Sequence, residues 1–228
     1  MQLSQQQLEE IKQFVLSKGF VYLDVQMEII DHVASALEER MEADSKLDFS
    51  KALQETYNSF GALGFSTIAD AVANGLHKKY NRFFWKTFQS FFGYKYAFLL
   101  VLGGLLAYQA QLLLIDKGWW LAVFTATMLL EVAVTFLRKF SREKLGQYLS
   151  FRLSGGYFAL QGAFLFVVLL SKPYIEFVDP FFGLYPAMAI LSIFLVLYVV
   201  YLLAAYKTMN FGIAESRELM KKHQYLNS

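Results

Sequence analysis

Four long apolar segments, all of them after Lys95, constrain the fold of this chain more than any other feature. Each is about as long as a helix needs to cross the roughly 30 Å hydrocarbon layer of a bilayer. None has the polar stripe of a water-soluble helix. We therefore predict an all-α protein with an integral membrane four-helix bundle behind an N-terminal cytoplasmic domain. The predicted spans are residues 97–115, 118–137, 153–171 and 185–206.

The distribution of Lys and Arg predicts the orientation of these spans, because basic residues are retained on the cytoplasmic side of short loops. Basic residues cluster before the first span, between the second and third, and after the fourth, whereas the other two loops contain only Lys117 and Lys172. Both termini are therefore expected in the cytoplasm. The first 20 residues contain no basic stretch followed by an apolar one, so we expect no cleaved signal peptide.

Charge divides the chain further. Residues 1–76, the predicted cytoplasmic domain, contain twelve acidic and five basic residues, and an acidic surface repels the phosphate backbone of nucleic acids. Residues 77–96 are basic and aromatic, which is typical of a juxtamembrane segment that meets anionic lipid headgroups. The spans then occupy residues 97–206, and a cytoplasmic tail follows at 207–228. The candidate headgroup-binding residues are Lys78, Lys79, Arg82, Lys86 and Lys95.

Capping residues and apolar spacing predict four helices in the cytoplasmic domain. Ser4 and Gln7 have the spacing of a capping box, so the first helix is expected from about Gln5 to Lys18. Glycines that can adopt positive φ end the first and third helices. The expected caps of the later helices are Asp24 for the second, Asp48 or Ser50 for the third, and Ser66 for the fourth.

Three short motifs within residues 5–75 resemble a known type of domain. They are Met27-Glu28-Ile29-Ile30-Asp31-His32-Val33, Phe49-Ser50-Lys51-Ala52-Leu53 and Tyr57-Asn58-Ser59-Phe60-Gly61. In this order they resemble the HAAS signalling domain and the prefix domain of macrolide-exporter-like permeases, which precede transmembrane segments in bacterial proteins. The whole arrangement is also similar to a four-span membrane-protein family from Bacteroidota whose function is unassigned.

This resemblance implies a multi-pass protein of the bacterial inner (cytoplasmic) membrane that acts through a protein partner. HAAS-type membrane proteins are commonly associated with PadR-like transcriptional regulators, so the implied role is signalling or sequestration of a regulator. The exporter type has a large extracytoplasmic domain, and the loop at 172–184 is too short to contain one. A regulatory or scaffolding role is therefore favoured over export.

The second helix provides the main candidate surface for a partner. At about 100° per residue its apolar residues fall on one side and its acidic residues on the other. Imidazole and two carboxylates at this spacing could bind a divalent metal or form a pH-sensitive contact. A solvated acidic face, with the histidine at the edge of the core, is the simpler interpretation, so no metal site is assigned. The predicted partner-binding residues are Glu28, Asp31, His32, Ser35 and Glu39.

Glu131 is the one ionisable residue well inside a predicted span. An intramembrane carboxylate is costly and is a functional candidate by default, and Gln161 on the third span could reach the same depth. A protonated or paired Glu131 that locks spans two and three together is the simpler interpretation. The alternatives are a small transporter, or an accessory subunit of a transport or secretion complex, and a membrane enzyme that uses Glu131. A transporter would require an open cavity lined by Glu131, Gln109, Gln111 and Gln161.

Small residues recur at every fourth position on two predicted spans: Gly103 and Ala107 on the first, and Gly155, Ala159 and Ala163 on the third. This spacing lets helices approach closely in lipid, either within one chain or between two copies in a homo-oligomer.

Signatures of enzymes are missing from the sequence. The chain has no cysteine, which excludes thiolate catalysis and disulfides. It also lacks a His-Glu-x-x-His zinc motif, a phosphate-binding glycine loop and a Gly-x-Ser-x-Gly elbow. We therefore predict a non-enzymatic protein without a catalytic residue, metal or cofactor. Its predicted partners are the lipid bilayer and a protein bound by the cytoplasmic domain.

Overall fold

The structure is a computed structural model, and the residues it describes are helical, with no strand among them, in agreement with the predicted all-α class. The predicted second span and most of the third lie outside the described residues, so the four-helix membrane bundle stays a prediction. The described residues are 3–44, 47–114, 145–160 and 185–226, with a few single positions between 126 and 137.

The chain forms two compact units that are not contiguous in sequence. The first contains Met1–Tyr80, Lys144–Leu153 and Ile213–Ser228, and the second contains Asn81–Glu143 and Ser154–Gly212. The helices with described bounds are α1 (Gln5–Ser17), α2 (Leu23–Ala43), α3 (Phe49–Ser59), α4 (Ser66–Ser90), α5 (Tyr94–Leu114), α6 (Leu149–Ser154) and α7 (Pro186–Leu226), with a 3₁₀ helix at Gly156–Leu160.

Local signals account for the ends of α1 and α3. Ser4 and Gln7 form the predicted capping box at the start of α1, and Asp48 caps α3 by accepting hydrogen bonds from the backbone N–H groups of Ser50 and Lys51. Gly61, just after α3, has a φ of +76°, which side chains with a Cβ rarely adopt. These boundaries need only neighbouring residues, which is why they could be predicted.

Two of the predicted caps were wrong. The second helix begins at Leu23 with Tyr22 as its N-cap and no side-chain capping bond, because the carboxylate of Asp24 is turned toward residues 149 and 150 instead. The fourth helix begins at Ser66 itself, so this residue is the first of the helix and not its cap.

The core of the first unit lies among α1, α2, α3 and the start of α4. Ile11, Ile29, Val33 and Leu37 have no exposed surface. Phe65 lies at the centre of an aromatic group, with its ring 4.9 Å from that of Tyr57 and at an interplanar angle of 74°. Edge-to-face pairs of this kind add to the stabilisation from area burial. The core therefore holds the exposed side of α2 in a fixed position.

The first unit also has a smaller apolar cluster, which connects segments distant in sequence. Leu145, Tyr148 and Phe151 are buried there. Residues from α2 and the C-terminal part of α7 pack against them, namely Leu23, Ile213, Leu219 and Met220. Residues 145–151 and the end of α7 therefore belong to the same packed body as the N-terminal helices.

In the second unit, two helices among the described residues are long and apolar enough to cross a membrane. One covers Tyr94–Leu113, with a mean hydropathy of 1.6, and the other begins at Pro186, with a mean hydropathy of 2.6. They correspond to the predicted first and fourth spans. Large apolar side chains on α5 are exposed, among them Phe98 at 74% and Val101 at 63%.

The small residues of the first predicted span form an internal contact. A methyl group added to Gly103 would lie 3.7 Å from Cγ2 of Val196 on α7. Gly103 therefore faces α7 of the same chain, which is one of the two arrangements left open by the sequence. On the third predicted span Gly155 is buried and Ala159 is exposed, and Ala163 lies outside the described residues.

Candidate functional site

The predicted partner-binding residues lie together on one exposed side of α2. Glu28, Asp31, His32, Ser35 and Glu39 are all exposed. The Nδ1 atom of His32 is 2.9 Å from the backbone oxygen of Glu28 and 3.8 Å from its carboxylate. Ser35 donates a hydrogen bond to the backbone oxygen of Asp31 at 2.9 Å. The side chains of His32 and Ser35 are thus held against their own helix.

Beside this acidic side of α2, a surface groove of about 740 Å³ lies between α1 and α2, and Lys222 of α7 also contributes to it. We call it the α1–α2 groove. Its apolar lining comes from Leu8 on α1 and from Leu23, Met27, Ile30 and Ala34 on α2. Leu8 is 40% exposed, and the four aliphatic residues from α2 are partly exposed beside it. The groove is therefore suited to an apolar ligand surface.

The rim of the α1–α2 groove is charged. Glu28 and Asp31 belong to it from α2, and Glu9 and Lys12 from α1. Glu9 and Lys12 form an ion pair at 3.2 Å. Hydrogen bonds from Gln13 and from Lys12 lower the pKa of Glu9, so this carboxylate is ionised at neutral pH. The α2 side of the rim is negative because its charged residues are Glu28 and Asp31, whereas Lys222 adds a positive charge from α7.

A second constellation in the first unit was missed by sequence reasoning. The carboxylate of Asp24 accepts hydrogen bonds from the backbone N–H of Leu149 at 2.9 Å and of Ser150 at 2.8 Å. These are the first two residues of α6, whose N–H groups have no partner inside the helix. The hydroxyl of Ser150 lies 2.9 Å from that of Ser216 on α7. Asp24 therefore caps a helix that is distant in sequence, and no local pattern indicates it.

The polar contacts continue from α7 to α4. Glu215 accepts a hydrogen bond from the hydroxyl of Tyr80 at 3.0 Å and pairs with Lys79 at 2.5 Å. Tyr80 is 1% exposed. Burial, and then the negative charge of Glu215, raise the pKa of the Tyr80 phenol. A phenol that keeps its proton is a hydrogen-bond donor and not a nucleophile, so these contacts are suited to positioning α4 and α7 rather than to catalysis.

In the second unit, Gln111 is a buried polar residue on a candidate span. Its side-chain nitrogen donates hydrogen bonds to the hydroxyl of Ser192 at 2.6 Å and to the backbone oxygen of Met188 at 3.2 Å. Its side-chain oxygen is buried and accepts no hydrogen bond within the described part of the chain. Gln111 thus connects α5 to α7, whereas Gln109 is exposed. The other two residues of the transporter alternative, Glu131 and Gln161, lie outside the described residues.

Four of the five predicted headgroup-binding residues lie on α4, and Lys95 lies on α5. Lys78 is exposed and Lys79 is paired with Glu215, both in the first unit. Arg82, Lys86 and Lys95 belong to the second unit and are exposed. Lys95 lies over the ring of Tyr96, 5.6 Å from its centroid. The cations available to a membrane surface in the second unit are therefore those from residue 82 onward.

Among the residues that the structure describes, no three His, Asp or Glu side chains are grouped so that they could hold a metal ion. Comparisons of the chain with protein-family models, with curated proteins and with solved structures gave no match.

Proposed function

We propose that this chain is a non-enzymatic regulatory or scaffolding protein of the bacterial inner membrane, and that its N-terminal helical unit binds a protein partner in the α1–α2 groove. The observation that carries the proposal is the groove itself, with its partly exposed aliphatic lining and its rim of Glu28 and Asp31. Apolar grooves between helices are a common way of binding an amphipathic helix of another protein.

The charges of the groove define the partner. The α2 side of the rim is acidic, and residues 1–76 have an excess of acidic over basic residues. Complementary charge speeds association and suppresses wrong partners. The proposed partner segment is therefore a helix with aliphatic residues on one face and Lys or Arg along its edge.

Membrane insertion is supported by the surface of the two candidate spans. In the most apolar window of the helix that begins at Tyr94, 6% of the residues are buried, and in that of the helix that begins at Pro186, 28% are buried. Apolar side chains so extensively exposed are unfavourable in water and favourable in lipid. The proposed topology has the four predicted spans in the membrane. Both termini lie in the cytoplasm, so that the first unit meets a cytoplasmic partner.

Site-specific photo-cross-linking in native membranes tests the proposal. A benzoylphenylalanine at Ile30, within the groove, is expected to capture one partner that mass spectrometry can identify. The same group at Ser50, which is exposed on α3, is the control position and should not capture it. A transcriptional regulator would support signalling, and a subunit of a transport or secretion complex would support the accessory-subunit alternative.

Charge reversal provides the matched variants. Glu28→Lys with Asp31→Lys is expected to reduce the capture at least about tenfold, since like charges across an interface cost several kcal/mol. Glu10→Lys with Asp70→Lys changes the net charge equally at exposed sites outside the groove and should leave the capture unchanged. Equal capture by both double variants would exclude the α1–α2 groove as the binding site.

A further inference from the structure

A row of aromatic rings lies at the C-terminal end of α4 and in the turn that follows it, directly before the candidate span α5. Trp85 is 49% exposed and Phe92 is 46% exposed. The ring of Phe88 lies 5.5 Å from that of Trp85 and 5.2 Å from that of Phe92. We call these three residues the aromatic row. It ends two residues before α5 begins at Tyr94, so it is continuous with a helix that can cross a membrane.

Within the aromatic row, Phe88 is half-buried, whereas Trp85 and Phe92 are exposed. The core of this region is formed by Phe84, which is 1% exposed and stacks on Tyr157 with ring centroids 4.6 Å apart. Phe84 also contacts the ring of Tyr201 at 5.1 Å. Phe84 is therefore a buried residue of this half of α4, and the rings of Trp85 and Phe88 lie 5.3 Å and 6.1 Å from its own. Trp85, the next residue, leaves about half of its side chain exposed.

Two free cations lie on the same exposed part of α4. Arg82 and Lys86 are exposed, and neither has a carboxylate within 4.0 Å among the described residues. Lys79, one turn earlier, differs because Glu215 neutralises it at 2.5 Å. At about 100° per residue, Arg82 and Lys86 fall beside Trp85 and away from Phe84. Residues 81–95 contain no acidic residue, so this segment has no negatively charged side chain.

We propose that Arg82, Lys86 and the aromatic row form a binding surface for anionic phospholipid headgroups. The proposal depends on the membrane placement proposed above but not on the protein partner. Tryptophan and phenylalanine rings beside Lys and Arg are typical of helices that lie in the headgroup region. Each basic residue at the surface of an anionic membrane contributes about 1 kcal/mol of attraction, or about fivefold in binding. The continuity with α5 makes a bilayer the occupant, since it places the surface at the entry of a candidate span.

Fluorescence quenching by brominated lipids tests this surface. The full chain with Trp119→Phe and Trp120→Phe retains Trp85 as its one tryptophan. It is reconstituted into phosphatidylcholine vesicles that contain the same small fraction of either brominated phosphatidylglycerol or brominated phosphatidylcholine. We expect brominated phosphatidylglycerol to quench Trp85 at least about twofold more strongly, because two cations enrich it around the site.

In the variant Arg82→Gln with Lys86→Gln, we expect both brominated lipids to quench the fluorescence of Trp85 equally. Lys51→Gln with Lys221→Gln removes the same charge at exposed positions outside this surface and should keep the difference. Inorganic phosphate should not reduce the difference in quenching between the two lipids, compared with sodium chloride at the same ionic strength. A loss of the difference only with phosphate would identify free phosphate as the ligand and overturn the proposal.

Two further outcomes separate this proposal from the proposed function. Equal quenching by both lipids in the starting protein, or no quenching of Trp85 in vesicles that carry the protein on flotation, would overturn the headgroup surface alone. A protein that does not float with the vesicles would overturn the membrane placement as well.

Discussion

The carboxylate of Asp24 accepts a hydrogen bond from the backbone N–H of Ser150 at 2.8 Å, across 126 positions of sequence. The other carboxylate oxygen of Asp24 accepts from the N–H of Leu149 at 2.9 Å. A negative charge at a helix N-terminus is stabilised by the unpaired N–H groups and by the helix dipole. Through this contact the end of a predicted membrane loop becomes part of the N-terminal helical unit.

We expect Asp24→Asn to loosen the attachment of α6. The amide retains one oxygen but places N–H donors against an N–H donor of the backbone, and the lost charge-assisted bond corresponds to about 1–3 kcal/mol. Hydrogen exchange of the Leu149 and Ser150 amides should accelerate accordingly. Asp31→Asn, at an exposed position of α2, is the control and should not change their exchange. Unchanged exchange in both variants would contradict the role assigned to Asp24.

We expect the first unit to lose stability at alkaline pH through Tyr80. Burial and the charge of Glu215 raise the pKa of this phenol in the folded chain, whereas in the unfolded chain it titrates near pH 10. Above about pH 10 the unfolded chain therefore binds fewer protons, and the contribution of Tyr80 to stability falls as pH rises. Denaturant unfolding between pH 8 and 11 measures how steeply the free energy of unfolding falls with pH, which we call the alkaline slope.

Tyr80→Phe should reduce this alkaline slope, although it also removes the hydrogen bond to Glu215. Tyr94→Phe, at a position 97% exposed, is the matched control and should keep the slope of the unchanged protein. An equal slope in all three proteins would show that Tyr80 is not the group responsible.

Gly64→Ala should destabilise the first unit more than Gly61→Ala. Both glycines have positive φ, +53° and +76°, so each substitution costs about 1–2 kcal/mol in backbone strain. A Cβ at Gly61 meets open space, whereas one at Gly64 would lie 2.9 Å from the ring of Tyr57. That ring is held by Phe14 at 5.5 Å, and overpacking adds about 1–3 kcal/mol.

Unfolding midpoints of the two variants give the comparison for Gly64. Combining Gly64→Ala with Tyr57→Leu should recover part of the loss, because the shorter side chain vacates the position of the ring. Equal losses for Gly61→Ala and Gly64→Ala would mean that the close approach to Tyr57 has no energetic consequence.

Gln111→Leu should cost less than about 1 kcal/mol of stability in detergent or lipid. It removes the bonds from the Gln111 side chain to Met188 and Ser192, and an interhelical hydrogen bond in a membrane averages about 0.6 kcal/mol. It also removes a buried oxygen that has no partner within the described residues, and this offsets part of the loss. A loss above about 3 kcal/mol would show that Gln111 binds a further group.

Several elements could be predicted because their causes are local. The capping box at Ser4 and Gln7 was correct, as was Asp48 as the cap of α3. The positions of Glu28 and Asp31 on an exposed side of α2 also followed from helical periodicity. That they bind a partner stays a prediction.

Other features could not be predicted, because their partners are distant in sequence. Asp24 has the local pattern of a cap for its own helix, yet it binds the amides of α6. Lys79 belongs by composition to a basic juxtamembrane cluster, yet it pairs with Glu215. In each case the local pattern indicates one role for a charged side chain. The side chain instead binds a group distant in sequence that packing places within 3 Å.

The sequence by itself determined the helical class, the position of the two candidate spans and the acidic character of the N-terminal segment, because these depend on composition and on a period of 3.6 residues. The tertiary structure decided that residues 144–153 and 213–228 belong with the N-terminal helices in one unit. It also decided which basic residues of the juxtamembrane segment are free. The physical reason is that buried polar groups must find partners, and the nearest partner in space is set by packing and not by order along the chain.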